Sequence, residues 1–503
     1  MRLKLYLLLG IVFASLAKTG LAERINQEGR ILGPALVVTN SVLFNSAQAD
    51  AITSAMQIFP VSNAWNEIVS HRPLLVNSDA MIAQIGLDLA TNRQTLRAFF
   101  EMNFVLIPDS QPLVPISFLL YADESDPSPY PIPSNMPIEG WPTQTPGLSL
   151  SKWQQDTNNT GGDRHAIVVQ PGNGDIWEMW QAKLTNNAWQ ASNGAQFNLN
   201  TNGLRMLGWT SGDAAGLCMF PALPRYDECE RGMVEHACRI VVARTRKEYI
   251  YPASHYASTT PATATNVPAM GQRLRLKSSF VIPTNWAKEE TAVLLALKKY
   301  GALVADNGGF FSISVTPDDR WPANAFSHIS SIAITNFEVV QSTGATEGPR
   351  SPGAPAAYAG PDQTVLAGTM TLSGFVAYSS TPPVIQWKLY TGPAAVNFGN
   401  FPQTNSTATF SVPGTYTLML SADDSVHAVA YDAVDITVVS PIVLSVARAG
   451  TNVNLSWTGG SPPYVVESAP ALPGNPWIPI STNNGQSVLV PVSAGSKFFR
   501  IRE

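Results

Sequence analysis

Charged side chains are scarce in this chain, where they account for only 13% of 503 residues. The 31 Lys and Arg residues are outnumbered by 36 Asp and Glu residues, which gives a formal net charge of −5. Proteins that bind nucleic acid or anionic membranes carry clustered positive charge. The composition therefore offers no electrostatic basis for either, and we expect no nucleic acid and no membrane among the partners.

Cysteine is nearly absent, with Cys218, Cys229 and Cys238 as the three examples. Their spacing fits no CxxC zinc pattern. At most one disulfide bond can form within the chain. It would have to use Cys218, because Cys229 and Cys238 lie too far apart along a predicted helix. The alternative is that all three are buried thiols that pack as small apolar groups.

Long apolar runs are also missing, since none reaches the roughly 20 residues that a membrane-spanning helix needs. The first 22 residues combine Arg2 and Lys4 with a short apolar core and then small residues. This pattern is typical of an export signal that is removed from the mature protein. We therefore expect a secreted protein, extracellular or periplasmic, that is a monomer.

The length of the chain predicts several domains. A stretch rich in Pro, Gly, Ala and Ser spans residues 342–364 and predicts a linker at residues 346–356. Short runs of β-forming residues dominate on both sides of it, so the expected fold class is mainly β. We predict an antiparallel β-rich domain at 23–345 with a few packed helices, then two small β-sandwich modules at 357–440 and 441–503.

Three segments of the first domain show helical periodicity: residues 50–59, 78–91 and 284–301. The last has the strongest signals. Thr284 or Asn285 is placed to cap it, acidic residues follow in the first turn, and Gly301 is placed to end it. In contrast, the proline-dense segment 123–142 cannot form regular structure, and we expect it to cover a surface or line a cleft.

The C-terminal modules resemble known domains. The strings AGPDQTV and PGTYTLML, together with Trp387 and the closing DITVV, resemble the PKD-type immunoglobulin-like domain of secreted bacterial enzymes. The last module resembles a short fibronectin-III-type module. Its Trp457 and Trp477 are either core residues or a surface on which sugars stack, and the core interpretation is favoured.

The N-terminal domain carries the strings GGDRH, GWTSGDAAGL, YPASHYAS and LKKYGALVADNGG. They resemble a block found in exported bacterial proteins without an assigned function, over most of residues 56–340. The resemblance implies one integral, exported domain and no mechanism.

Candidate catalytic residues appear first in the segment RYDECERGMVEHACRI, which starts at Arg225. If it is helical, Glu228 and His236 share a face with Gly232. We assign Glu228 and His236 to catalysis, and Arg225 and Tyr226 to substrate binding. The alternative is an exposed helix face with weak ion pairs.

Asp163 and His165 enter a predicted strand from a loop, where the carboxylate is placed to orient the imidazole or to raise its pKa. Glu178 alternates with large apolar residues, and desolvation there would raise its pKa and make it a proton donor. Trp180 is a candidate for sugar stacking. The alternatives are a turn Asp with a surface His, and an exposed strand.

Asp306 lies in the turn sequence DNGG, which follows a predicted helix and precedes a predicted strand. Turn chemistry alone also explains this sequence. Asp213 and His255 are candidate substrate-binding residues. The chain has no HExxH, GxSxG, P-loop or Rossmann motif, and we expect neither a metal nor another cofactor.

These observations favour an enzyme that cleaves an extracellular polysaccharide. We predict a glycosidase with two carboxylates drawn from Asp163, Glu178, Asp213, Glu228 and Asp306. A polysaccharide lyase that uses Arg225 to neutralise a uronate is a close alternative. A non-catalytic carbohydrate-binding or surface-attachment protein is the second class.

Overall fold

A computed structural model of the chain describes residues 23–145, 147–379, 381–460, 462–492 and 497–503. The predicted export signal, residues 1–22, lies outside the described residues. The chain divides into an N-terminal unit, Arg24–Ala354 with Ser425–Ala428, and a C-terminal unit, Pro355–Asp424 with Val429–Glu503. Strand accounts for 32% and helix for 13%, which confirms the mainly β class.

The helices of the N-terminal unit are short. They are α1 (Ala47–Ser54), α2 (Ser78–Leu87), α3 (Leu150–Gln154), α4 (Tyr226–Arg231) and α5 (Lys288–Lys299). Single 3₁₀ turns cover Ala64–Asn66, Thr91–Arg93, Ala122–Glu124, Phe220–Ala222, Ile329–Ser331, Ile334–Asn336 and Gly348–Arg350. The predicted helix at 284–301 is confirmed as α5 and ends before Gly301, whose φ is +71°. Its N-cap is Ala287, and not Thr284 or Asn285, because Glu290 accepts a hydrogen bond from the Ala287 amide.

The strands of this unit build three sheets. They are β1 (Val42–Leu43), β2 (Leu96–Phe100), β3 (Val105–Leu106), β4 (Ile116–Phe118), β5 (Ala166–Gln170), β6 (Asp175–Trp180), β7 (Lys183–Thr185), β8 (Ala188–Ala191), β9 (Asn193–Asn198), β10 (Cys238–Val242), β11 (Arg273–Leu276), β12 (Ala302–Asn307), β13 (Phe311–Val315) and β14 (Phe337–Val339). The first sheet has the order β1-β3-β5-β6-β9, the second β14-β11-β12-β10-β13-β2, and the third β4-β8-β7.

Both larger sheets are mixed. The antiparallel pairing predicted for this domain is found between β5 and β6 and between β6 and β9. Parallel pairs also occur, between β2 and β13, β3 and β5, and β10 and β12. The sequence did not indicate these pairs, because they join segments that are far apart in the chain.

The first sheet separates two hydrophobic cores. Ile167, Val169 and Ile176 face the main core, which extends to the second sheet and α5. Val168 and Trp177 face a smaller core on the opposite side. This alternation places His165 and Glu178 on the side of the main core.

The segment after Arg225 is not one continuous helix, in contrast to the prediction. The helix α4 ends at Gly232, whose φ of +88° lies in the left-handed region. The chain then turns and enters β10 at Cys238. The proposed helix face therefore does not exist, because a glycine at a left-handed C-cap stops the helix after six residues.

The C-terminal unit contains short strands throughout. They are β15 (Ala356–Tyr358), β16 (Gln363–Leu366), β17 (Gly368–Thr371), β18 (Phe375–Ala377), β19 (Val384–Thr391), β20 (Asn397–Phe398), β21 (Thr407–Phe410), β22 (Gly414–Asp423), β23 (Ala430–Val439), β24 (Val443–Ala449), β25 (Asn452–Thr458), β26 (Tyr464–Ala469), β27 (Ile478–Asn483), β28 (Ser487–Pro491) and β29 (Phe498–Arg502). The principal sheets are β16-β23-β22-β19 and β17-β21-β20 before Ser440, and β24-β25-β28 and β27-β26-β29 after it.

Each module of the C-terminal unit has its own small core. Trp387 is buried in the first and Trp457 in the second, where its ring meets Tyr464 edge to face. Trp457 is therefore a core residue, as favoured from the sequence. Trp477 is partly exposed and lies under the guanidinium of Arg500, at 4.6 Å from the ring centroid.

Residues 346–354 of the predicted linker belong to the N-terminal unit. Arg350 is buried and contacts Glu67 at 2.9 Å, and it also donates to the Ser62 carbonyl. The boundary between the units falls after Ala354. Composition does not reveal this, because the contacts of Arg350 with Glu67 and Ser62 join residues that are far apart in the chain.

Cys218, Cys229 and Cys238 are buried free thiols, which confirms the second of the two interpretations of the cysteines. No helix among the described residues is long and apolar enough to cross a bilayer.

Candidate functional site

A buried arginine organises the polar residues between the two larger sheets. Arg239 of β10 forms a two-point ion pair with Asp213, and its Nη1 donates to Ser314 Oγ at 2.6 Å. The carboxylate of Asp306, on β12, lies 3.8 Å from Arg239 Nη2. Ser314 in turn donates to Glu101 Oε1 at 2.9 Å. One guanidinium thus links three carboxyl groups from three parts of the chain.

His165 lies at the start of β5 and completes this group. Its Nδ1 is 2.7 Å from Glu139 Oε2, and its main-chain amide donates to the same oxygen at 3.0 Å. Its Nε2 is 2.8 Å from the carbonyl oxygen of Gly212. Gly212 immediately precedes Asp213, so the loop that pairs with Arg239 also touches His165. We call these residues the Arg239 cluster: Glu101, Glu139, His165, Asp213, Arg239, Asp306 and Ser314.

The backbone explains how Glu139 and Glu101 come together. The amide of Gly140 donates to the Glu101 carbonyl at 2.9 Å. The side-chain amide of Asn103 donates to the carbonyls of Ile138 and Trp141. These hydrogen bonds hold the proline-dense segment against the end of β2. Glu139, which belongs to this segment, therefore lies next to His165.

Neighbouring charges displace the pKa values of the cluster in opposite directions. Burial lowers the pKa of His165, but Glu139 overcomes this and raises it to about 9. Burial raises the pKa of Glu139, but the charge and hydrogen bonds of His165 outweigh burial and lower it. Burial and the Glu139 charge raise the pKa of Glu101. Burial and the Asp213 charge raise the pKa of Asp306 to about 7.

Solvent reaches part of the cluster. The side chain of Asp306 is 27% exposed and that of Glu139 16% exposed, and Glu101 is also partly exposed. Asp213 and Arg239 are buried. The cluster therefore presents carboxyl groups of different proton affinity at a surface, above a buried ion pair that fixes them.

Glu178 lies below this surface and is fully buried. Its Oε1 accepts hydrogen bonds from the amides of Met219 and Phe220 and from the Cys218 thiol. Desolvation raises its pKa to about 7, the direction expected from its apolar neighbours. Its burial separates it from any substrate, so it is a proton-binding group inside the fold and not a surface acid.

Asp163 and Trp180 lie at the edge of the cluster. Asp163 is exposed, and its Oδ1 accepts a hydrogen bond from Trp180 Nε1 at 3.2 Å. The principal partner of His165 is Glu139, although the Asp163 charge also raises the His165 pKa. Asp163 precedes β5, and the φ of +47° at Arg164 breaks the strand alternation expected between positions 163 and 165. The ring of Tyr121 lies 6.1 Å from that of Trp180.

His255 is partly buried beside the same loop. Its Nδ1 is 2.7 Å from the carbonyl of Ala214, the residue after Asp213. Its ring stacks on Tyr256, with 5.8 Å between centroids.

Glu228, His236 and Arg225 form a different, buried group. Glu228 pairs with Arg225 at 2.8 Å and lies 3.2 Å from His236 Nε2. These charges outweigh burial and lower the pKa of Glu228 to about 2. All three side chains are at most 5% exposed. The predicted catalytic pair therefore forms a buried ion-pair network with Arg225, at the wall of a small cavity. Tyr226 lies under the Arg320 guanidinium, at 4.0 Å.

Four members of the Arg239 cluster escaped the sequence-based prediction: Glu101, Glu139, Arg239 and Ser314. Glu101 directly follows the strand of β2, and Glu139 lies in the segment expected to line a cleft, so both positions carried a signal. Arg239 lies in an apolar strand, and only its unusual charge among buried residues marks it. No group of three His, Cys, Asp or Glu side chains suited to a metal ion occurs among the residues described.

No protein-family model and no curated protein matches the chain. Solved structures with some likeness are immunoglobulin-like. The PKD domain of the KIAA 1837 protein is 24% identical, with 18% of this chain and 89% of that one covered and a TM-score of 0.15. The PKD domain of human KIAA0319 is 24% identical, with 22% and 96% covered and a TM-score of 0.15. Bovine butyrophilin is 13% identical, with 30% and 93% covered and a TM-score of 0.20.

Proposed function

We propose that the N-terminal unit is the catalytic domain of a secreted enzyme that hydrolyses a polysaccharide with a pair of carboxyl groups. One observation carries this proposal. Glu101 and Glu139 interact, both are partly exposed, and their pKa values are displaced in opposite directions. Glycoside hydrolysis needs one carboxyl group that holds a proton and a second that is ionised. Glu101 is suited to the first role and Glu139 to the second.

Asp306 supports the same chemistry as a further proton donor. Its pKa of about 7 keeps much of it protonated in neutral solution, and about a quarter of its side chain is exposed. His165 is a positioning residue, because it contacts Glu139 and keeps that carboxylate ionised.

An exposed ring, Tyr121, and a partly exposed ring, Trp180, lie near the cluster and suit a sugar polymer. Trp180 and Tyr121 lie beside each other, and Asp163 next to them offers a hydrogen-bond acceptor. Aromatic faces with a polar group at their rim are a common surface for sugar rings. The predicted export signal and the resemblance of the C-terminal modules to domains of secreted enzymes favour an extracellular polymer.

The test is a screen of the purified full-length protein against a panel of polysaccharides, with reducing ends and unsaturated ends both measured. On any substrate found, Glu101→Gln and Glu139→Gln should each lower the rate by about 10²–10⁴, because each removes a proton-transfer group. Glu248→Gln is the matched control, since Glu248 is 44% exposed and lies outside the cluster.

Three outcomes would overturn the proposal in different ways. Activity that survives both substitutions would exclude this carboxyl pair. Release of unsaturated ends would assign the reaction to a lyase. Tight binding of a polymer without any cleavage would identify a carbohydrate-binding protein.

A further inference from the structure

Two arginines lie on the same face of the second sheet as the Arg239 cluster. Ser314 of β13 is the register partner of Phe99 on β2, and Ser312 is the partner of Arg97. Side chains of register partners point to the same face. Because Ser314 contacts Glu101 and Arg239, this face carries Glu101 of the proposed carboxyl pair as well as Phe99 and Arg97.

Arg93 joins this face through an aromatic pair. The rings of Phe99 and Phe310 meet edge to face, with centroids 5.3 Å apart. The guanidinium of Arg93 lies over the Phe310 ring, 4.3 Å from its centroid. Gly309 allows this position, since a Cβ there would lie 2.8 Å from Arg93 Nη1. The DNGG turn thus begins with Asp306 of the cluster and ends with Gly309, which contacts Arg93.

Neither arginine is neutralised. Arg93 donates to the carbonyl of Gly309 and Arg97 to that of Asn92, at 3.1 and 3.4 Å. Within the described ranges, no carboxylate forms an ion pair with either of them. Arg93 is exposed and Arg97 is partly exposed, so both side chains are accessible to solvent.

We propose that Arg93, Arg97, Phe99 and Phe310 form a subsite for an anionic sugar residue, which bears a carboxylate or a sulfate. The guanidinium groups pair with the anionic group, and the two rings provide an apolar surface for the sugar. This inference rests on the proposed function and narrows its substrate to an acidic polysaccharide. Its position next to Glu101 places the bound residue beside the proposed site of cleavage.

The experiment measures binding without cleavage, by affinity electrophoresis of the full-length Glu101→Gln protein. The probes are polygalacturonate, the same polymer with its carboxyl groups methyl-esterified, and dextran sulfate beside neutral dextran. We expect binding to at least one acidic polymer and at least tenfold weaker binding to its neutral counterpart. Preference for polygalacturonate assigns a carboxylate to the ligand, and preference for dextran sulfate assigns a sulfate.

Adding Arg93→Gln and Arg97→Gln, singly and together, should reduce binding of the acidic polymer by about tenfold or more, because hydrogen bonds to charged groups contribute about 1.5–3 kcal/mol. Arg24→Gln is the matched control, since Arg24 also contacts a main-chain carbonyl only, that of Gly33. Equal binding of acidic and neutral polymers, or unchanged binding in both single variants, would overturn the subsite.

The failure of this proposal and that of the proposed function are distinguishable. The wild-type protein could bind an acidic polymer through the two arginines without cleaving it. This result would support the subsite and contradict the proposed enzymatic function. The protein could instead cleave a neutral polymer at a rate that the arginine substitutions do not change. This result would support the proposed enzymatic function and contradict the subsite.

Discussion

The ring Nδ1 and the main-chain amide nitrogen of His165 both contact Oε2 of Glu139, at 2.7 and 3.0 Å. The carboxylate is therefore held by a charged and a neutral donor at once, while the opposite ring nitrogen is fixed on the Gly212 carbonyl. This double contact joins the proline-dense segment to the first sheet and determines which member of the carboxyl pair is ionised.

Removing the Glu139 charge should lower the pKa of His165. In Glu139→Gln, burial and the positive charge of Arg239 remain and both favour the neutral ring. We expect the pKa to fall from about 9 to below the ordinary value of about 6.5. The measurement is an NMR titration of the His165 ring protons. Asp163→Asn is the control and should cause a smaller decrease, and a titration unchanged in Glu139→Gln would contradict the ion pair.

The stability of the N-terminal unit should fall as pH rises from 5 to 8.5. Glu178 has a folded pKa of about 7, above its unfolded value near 4.5, so its contribution is complete below about pH 4.5 and is lost as pH rises through 7. Asp306 acts in the same direction. His165 also acts in this direction: its folded pKa of about 9 lies above its unfolded value near 6.5, so its contribution is complete below about pH 6.5 and is lost as pH rises through 9.

Glu178→Gln isolates the share of one group in this pH dependence. One pKa unit corresponds to about 1.4 kcal/mol. Between pH 5 and 8.5, the free energy of unfolding should therefore fall by about 2–3 kcal/mol more in the wild-type protein than in the variant. Urea unfolding at both pH values measures the difference, and Glu248→Gln should behave like the wild type. Parallel pH profiles for the wild type and Glu178→Gln would show that Glu178 does not titrate in this range.

Glu228→Gln should destabilise the fold and leave the chemistry unchanged. The substitution leaves Arg225 and His236 buried without their shared carboxylate, which costs about 3–5 kcal/mol. Glu230→Gln, on the same helix, is the control because its ion pair with Lys288 is exposed to solvent and contributes little to stability. Thermal unfolding measures both variants. An active-site role for Glu228 would appear as lost activity at an unchanged melting temperature.

The segment before the unit boundary should add stability. A chain that ends at Ala354 keeps the ion pair between Arg350 and Glu67, and a chain that ends at residue 345 lacks this ion pair. Arg72 remains as a partner of Glu67 at 2.7 Å, so the shorter chain should fold but melt at a lower temperature. Calorimetry compares the two chains, with Arg350→Ala in the longer chain reproducing the loss. Equal melting temperatures would show that residues 346–354 act only as a linker.

All three cysteines should react with a thiol reagent in the denatured protein without reductant. In the native protein the reaction should be slow, because the thiols are buried and burial raises their pKa values. A single reactive thiol after denaturation would indicate a disulfide bond.

The sequence by itself determined the local features of this protein. Short runs of β-forming residues indicated strands such as β5 and β6, and helix-end signals indicated α5, because both depend on residues a few positions apart. The apolar neighbours of Glu178 were enough to indicate the direction of its pKa displacement. Local pattern failed at Gly232, where a left-handed backbone ends the helix that the sequence-based interpretation continues through His236.

Only the tertiary structure decided which candidates meet. Asp213, Asp306 and His165 were recognised singly, but their convergence depends on the parallel pairing of β10 with β12 and on the loop at Gly212, which join residues far apart in the chain. Glu101 and Glu139 acquire opposite pKa displacements only because a proline-dense segment folds against the end of β2. Burial and neighbouring charge set proton affinity, and both are properties of the folded chain.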